Sequence, residues 1–260
     1  MRNWIWLPVM LSLLPTVASA QIGKETELWK WSSKAKHHNA IVQVSMENGT
    51  GTGVIIHADR SKPVAKGHQG YCLTAYHVVE DDDGERNIRV TYRDGQVSAR
   101  CKVVAFDKKN DVAILWVWVP TSVQPARVAM KNIVAREQVE YAGLGGGSSL
   151  KCCLRHFTAN ASITTTNDKI FADAALLPGD SGGPVFNKRG EVVGVISGGW
   201  FWFDGGVRVK NGGSIQTTWP ARSTNVAAVR KLMTEVPGLK MPMPQFAKAD
   251  AGTVVTKVSK

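Results

Sequence analysis

The chain has 260 residues, 43% of them hydrophobic and 25 of them glycine, which is enough apolar material for a full core and too ordinary a composition for disorder. Its formal net charge of +11 suits an anionic partner, yet the 32 lysines and arginines are dispersed and build no basic helix or aromatic-interleaved stripe. No nucleic-acid partner is expected, and attraction to an anionic envelope or to acidic substrates is the milder consequence.

At the N-terminus, Arg2 precedes an apolar run over 4–17 that is interrupted by Pro8 and Pro15, and Ala18-Ser19-Ala20 supplies the small-x-small pattern that signal peptidase accepts. Residues 1–20 therefore read as a signal peptide, with a mature chain from Gln21. The run is too short for a membrane span, and no later segment reaches spanning length. A secreted or periplasmic protein without a stable membrane span is expected. Residues 21–39 are polar apart from Trp29 and Trp31 and read as an arm packed on the domain surface.

Strand signals begin at Ala40. Residues 40–46 alternate, 51–57 follow a Glu-Asn-Gly turn signal, and 71–79 are mostly apolar. Segments 89–93 and 97–106 meet at Asp94-Gly95, a strong hairpin dipeptide, and 112–119 is a continuous Val/Ile/Leu/Trp strand ending at Pro120. Six strands over about 40–120 suit a small closed barrel. A second set at 137–142, 150–157, 162–166, 170–174, 183–186, 191–197 and 214–218 predicts a second barrel over about 130–220. With Ser223 as N-cap, helical spacing over 226–233 predicts a terminal helix over about 223–234. The remainder, 235–260, is rich in Pro, Lys, Ala and Thr and reads as a mobile basic tail. The fold class is thus all-β, two six-stranded barrels with a C-terminal helix.

Export makes the four cysteines interpretable. Cys72, Cys101, Cys152 and Cys153 allow three connectivities. Cys152 and Cys153 point to opposite faces of a strand and do not pair with each other. Cys72 with Cys101 is the preferred disulfide, because both lie in strands of one sheet region, and buried free thiols are the alternative. Neither the Cys-x-x-Cys spacing of a zinc site nor histidines interleaved with cysteines occur, so no metal is expected. The acidic run Glu80-Asp81-Asp82-Asp83 lacks the glycine and terminal glutamate of a calcium loop and reads as solvated.

One serine stands in unusual company, in Leu177-Pro178-Gly179-Asp180-Ser181-Gly182-Gly183-Pro184-Val185. Flanking glycines let the backbone approach a substrate carbonyl and adopt torsions that a β-carbon resists. The amides of Gly179 and Ser181 are then candidates for an oxyanion hole around a Ser181 nucleophile. A serine needs a base. His77 lies in Leu73-Thr74-Ala75-Tyr76-His77-Val78-Val79, whereas His37, His38, His57, His68 and His156 lack such a context and are assigned to the surface. The base needs a carboxylate in turn. Asp111 opens the apolar strand Asp111-Val112-Ala113-Ile114-Leu115, which implies burial, and Asp107 is the rival, followed by Lys108 and Lys109.

Gly-Asp-Ser-Gly-Gly-Pro over 179–184 resembles the nucleophile turn of trypsin-like serine proteases, and the lead-in Asp173-Ala174-Ala175-Leu176-Leu177-Pro178 resembles that of the bacterial HtrA/Deg branch. Thr74-Ala75-Tyr76-His77 and Asp111 to Leu115 are similar to that branch's histidine and aspartate motifs, and the order His, Asp, Ser is the trypsin-like one. The resemblance implies a protease domain over 40–234 with its site between the barrels, and a serine endopeptidase acting on polypeptides without a cofactor. No PDZ-like module is expected after it. A catalytically idle protease-like binding or chaperone module is the alternative.

Two departures qualify the resemblance. Asp180 stands where HtrA relatives usually carry Asn. In digestive trypsin-like enzymes that aspartate pairs with a new N-terminus, but Ile41-Val42 here follows Asn39-Ala40, not a basic cleavage site. Another donor is expected to hold the oxyanion turn, or the turn is disordered until substrate binds. Carried over by position, the primary substrate pocket comprises Ala175, Leu176, Ser197, Gly198 and Gly199. With no charge at its floor and Ile196 before Ser197, an uncharged P1 side chain of small or medium size is expected, although the aromatic run 200–203 is available to reshape the pocket.

Overall fold

Val112–Pro120 carries apolar residues almost without interruption, and a strand of that kind needs partners on both edges and cover on both faces. It has them. In the computed structural model, which describes residues 36–64, 66–81, 88–134, 137–145, 155–159, 164–165, 169–172, 176, 179–198 and 221–239, six strands close into a barrel. They are β1 (Ile41–Met46), β2 (Gly49–Val64), β3 (Gly67–Thr74), β4 (Ile88–Thr91), β5 (Val97–Asp107) and β6 (Val112–Pro120), in the order β1-β2-β3-β6-β5-β4. Val44 opposite Val90 joins β1 to β4 and removes the free edges.

Register in this barrel decides where the site lies. Cys72 faces Leu115, Leu73 faces Ile114 and Thr74 faces Ala113. β3 therefore stops one residue short of the start of β6, and the turns carrying His77 and Asp111 leave the barrel side by side. The run read as one strand over 71–79 is divided, because β3 ends at Thr74 and Tyr76–Val78 forms a 3-10 turn. β2 is longer than its expected 51–57.

The second half contributes β7 (Val139–Gly143), β8 (Arg155–Ala159), β9 (Thr164–Thr165), β10 (Lys169–Ala172), β11 (Pro184–Asn187), β12 (Val192–Gly198) and β13 (Ala221–Asn225). Among the described residues these make a seven-stranded sheet in the order β8-β7-β11-β12-β13-β10-β9, the part of the expected second barrel that the described residues cover. The segment 214–218 lies outside the described residues. Ser223 is buried within β13, and Asn225 caps the helix instead, its side chain accepting a hydrogen bond from the Ala227 N–H at 3.4 Å. The helix itself, α1 (Val226–Met233), is shorter at its start than the expected 223–234, because 223–225 belong to β13, and it buries Val226, Ala228, Val229, Leu232 and Met233. The start of the tail is also packed, with Val236 and Leu239 buried and the Tyr71 hydroxyl donating to the Pro237 carbonyl at 2.9 Å. Residues 1–35 and 240–260, with the signal-peptide reading, lie outside the described residues, among which no helix is long and apolar enough to cross a membrane.

Cys72 and Cys101 are both buried and both free, which corrects the expected bridge. They sit on β3 and β5 with β6 between them, and two strand spacings of about 4.8 Å exceed the roughly 7 Å Cα separation a disulfide tolerates. The Cys101 sulfur instead donates to the Ser98 carbonyl at 3.2 Å, and that of Cys72 to the Leu73 carbonyl at 3.6 Å. Burial, with the nearby Cys101 second, pushes the Cys72 thiol well above its ordinary value. Both thiols are expected to resist alkylation in the native protein and to react fully in denaturant without reductant. Mass spectrometry reads this directly, and recovery of a Cys72–Cys101 cross-linked peptide would reinstate the bridge.

Candidate active site

His77 reaches its position through the Tyr76–Val78 turn, whose first ring stacks on Phe106 of β5 at 4.8 Å between centroids. The carboxylate that meets it belongs to Asp111. His77 Nδ1 lies 2.9 Å from Asp111 Oδ2 and 3.0 Å from Oδ1, and the His77 backbone N–H donates to Oδ1 at 2.9 Å. The Ser197 hydroxyl donates to Oδ2 as well. Burial by itself raises the Asp111 carboxyl, but the hydrogen bonds from the His77 ring, from Ser197 and from the His77 amide together hold it below the ordinary carboxylate value.

The rival Asp107 has a different task. Its carboxylate accepts from the Asn110 N–H at 3.0 Å and from the Asn110 side chain at 2.7 Å, which folds the short turn that presents Asp111. Asp111 itself has a φ of 58°, a left-handed conformation that aspartate tolerates better than most residues. The second sheet holds the same turn, since Lys169 Nζ donates to the Asn110 carbonyl at 2.8 Å and the Thr224 hydroxyl donates to that carbonyl too.

Ser181 lies in a turn between Gly179 and β11. Gly183 N–H donates to the Asp180 carbonyl at 2.9 Å, and Gly182 N–H to the Ile196 carbonyl at 2.7 Å. Gly182 has a φ of 85°, and a β-carbon there would lie 2.1 Å from the Thr52 carbonyl oxygen, so no other residue fits. Asp180 is buried, and its carboxylate accepts from Gly145 N–H at 2.8 Å. A backbone amide of the β7 exit thus serves as a donor for the aspartate, and it reaches it closely because Gly145 has no side chain.

Thr52 was not flagged by any motif, and it holds the serine turn. Its N–H donates to the Ser181 carbonyl at 2.8 Å, and its hydroxyl donates to the Gly179 carbonyl at 2.7 Å while accepting from Leu144 N–H at 2.9 Å. Its own carbonyl accepts from the Thr74 hydroxyl at 2.8 Å, close to the His77 turn. The only signal available in sequence was a hydroxyl residue between two glycines in an apolar strand.

A cleft of about 590 Å³ is lined by His77, Asp111, Ser181, Leu176, Ser197 and Gly198, which brings together six of the expected site residues. Ala175 and Gly199 lie outside the described residues. No hydrogen bond joins His77 to Ser181, a contact that commonly tightens only when substrate binds. Lys108, Lys109, Lys169 and Arg222 also face the cleft, so its wall carries cations that position-by-position carry-over missed. An imidazole held by a carboxylate at Nδ1 leaves Nε2 free to accept a proton from a hydroxyl, and paired backbone amides can stabilise an oxyanion.

A family model described as trypsin-like peptidase domain matches residues 51–195. Protease Do-like 1, chloroplastic, of Arabidopsis thaliana is 32% identical over 137 residues, covering 49% of this chain and 30% of that protein. A Chlamydia trachomatis protein named probable periplasmic serine endoprotease DegP-like is 30% identical over 155 residues, covering 56% and 27%. The chain thus spans under a third of the length of these relatives. Among solved structures, a serine endoprotease from Yersinia pestis superposes with a TM-score of 0.57 at 21% identity, over 77% of this chain and 63% of that one, a likeness of fold.

Thr52→Val keeps the shape of the residue but leaves the Gly179 carbonyl and the Leu144 amide without their hydroxyl partner. It should cost roughly 1–3 kcal/mol of unfolding free energy in a denaturant titration, and Thr52→Ser should recover most of it. Equal stability of the Val and Ser variants would show that the hydroxyl is not the link.

Proposed function

Because the chain belongs to the trypsin-like peptidase domain family, we propose that it is a serine endopeptidase that cleaves polypeptides through an acyl-enzyme. In this reading Ser181 attacks the scissile carbonyl. His77 accepts the proton at Nε2 and returns it to the leaving amine, Asp111 holds the imidazole tautomer and stabilises the imidazolium, and the amides of Gly179 and Ser181 bind the oxyanion. The observation that carries the proposal is the Asp111 carboxylate, held by His77 and Ser197 at once in the cleft that Ser181 also lines.

A fluorophosphonate probe should label the wild-type protein and not Ser181→Ala. Absence of labelling in the wild type favours the idle module. Triad members act as a unit, so Ser181→Ala and His77→Ala should each lower turnover by several powers of ten, with the double variant little worse than either. Asp111→Asn should lower it by about 10⁴ with the fold intact, because the wrong tautomer is then favoured.

The substrate reading is narrower. An uncharged P1 side chain fits a pocket with Leu176 buried beside Ser197 and Gly198, and Lys108, Lys109, Lys169 and Arg222, which outnumber Glu80 on the cleft wall, oppose a basic residue further. The same cations favour acidic side chains on either side of the scissile bond. Export follows from the N-terminal sequence, and a relative named as periplasmic supports it. Cleavage-site profiling on a denatured protein mixture should return uncharged P1 residues with acidic neighbours, and a dominant Lys, Arg or Glu at P1 would refute the substrate reading without touching the chemistry.

A further inference from the structure

Two of the histidines assigned to the surface are not simple surface residues. Lys36–Ala40 forms a 3-10 turn immediately before β1, and in it the His38 side chain is fully buried while that of His37 is 23% exposed. Both rings turn Nε2 toward one carboxylate, that of Glu140 on β7, which lies 102 residues further along than His38. His38 Nε2 is in close contact with Glu140 Oε1, and His37 Nε2 is 3.4 Å from Oε2. The three groups keep their ligand atoms within 4.8 Å of one another.

We propose that His37, His38 and Glu140 bind a zinc-class divalent ion that ties the chain entering the barrel to the second sheet. Two ligands each about 2.0–2.1 Å from a tetrahedral zinc stand about 3.3–3.4 Å apart; the His37–Glu140 separation has that value, whereas His38 and Glu140 are in closer contact and part to admit the ion. Two imidazoles and one carboxylate are a donor set that zinc accepts and that magnesium, which prefers oxygen ligands, does not. The surroundings fix the rings. His37 packs edge-on against His38 at 4.3 Å and against the buried Phe186 at 4.5 Å between centroids. It also lies over Gly190, where a β-carbon would come within 2.5 Å of His37 Nδ1. The partial exposure of His37 and Glu140 leaves an open side on which water completes the coordination. None of the three residues lines the cleft that holds Ser181 and His77, so the site is independent of the proposed reaction.

The test uses the full chain carrying Ser181→Ala, stripped with chelator and dialysed. Titration with zinc against a chromophoric competing chelator should show one equivalent bound, with a raised melting temperature, and cobalt should give the intense visible bands of a tetrahedral site. Glu140→Gln and His37→Gln, both close in shape and the second on a partly exposed residue, should each weaken zinc binding by roughly tenfold or more. His77→Ala should bind zinc as tightly as its parent, and magnesium should not bind. No zinc uptake, or uptake unchanged by both Glu140→Gln and His37→Gln, overturns the proposal.

Discussion

The structure turns on the hydrogen-bonding capacity of one buried hydroxyl. A threonine hydroxyl can donate once and accept twice, and Thr52 gives its proton to Gly179 and receives that of Leu144, while its backbone binds Ser181 and Thr74. β2 belongs to the barrel, whereas Gly179, Ser181 and Leu144 belong to the second half. The position of the serine is therefore referenced to the same strand that supports the turn bearing His77. In a low-dielectric interior each of these bonds is costly to leave unmade, so the arrangement is stiff without any covalent tie.

A comparable cross-reference fixes the carboxylate. Asp111 emerges from the barrel, yet the peptide carbonyl just before it is bound by Lys169 and Thr224 of the second sheet, and its oxygen is bound by Ser197 of that sheet. Burial of the carboxylate costs energy that the hydrogen bonds from His77 and Ser197 offset, which leaves the acid ionised while it remains only partly exposed.

Much of this was legible in sequence wherever the signal was local. The Asp94-Gly95 turn, the apolar strand β6 and the helical spacing of α1 each depend on neighbours a few residues away; the turn and β6 appear within a residue or two of their expected bounds, and α1 starts later only because β13 takes 223–225. Asp111 could be preferred over Asp107 because the apolar strand after it implied burial. What was not legible depends on pairing across the chain. Nothing near Thr52 names Gly179, 127 residues later, and nothing near His38 names Glu140. The cysteine bridge failed for the complementary reason, since membership of one sheet does not say how many strands intervene. Ser223 resembled a cap by residue type, but strand pairing with Ile196 claimed its backbone first.

The two ends of the described chain pack crosswise. The 3-10 turn that precedes the barrel lies against β7 and Phe186 of the second sheet, while α1 and the segment after it, which follow the second sheet, lie against β5, β6 and Tyr71 of the barrel. Synthesis and export both run from the N-terminus, so β1 to β6 emerge before α1 and the first barrel appears without the helix that covers part of its outer wall. The surface of β5 and β6 that α1 covers waits for the last part of the domain to be made. Final consolidation is thus a late event in synthesis, and truncation near residue 225 would loosen the half of the molecule that was completed first.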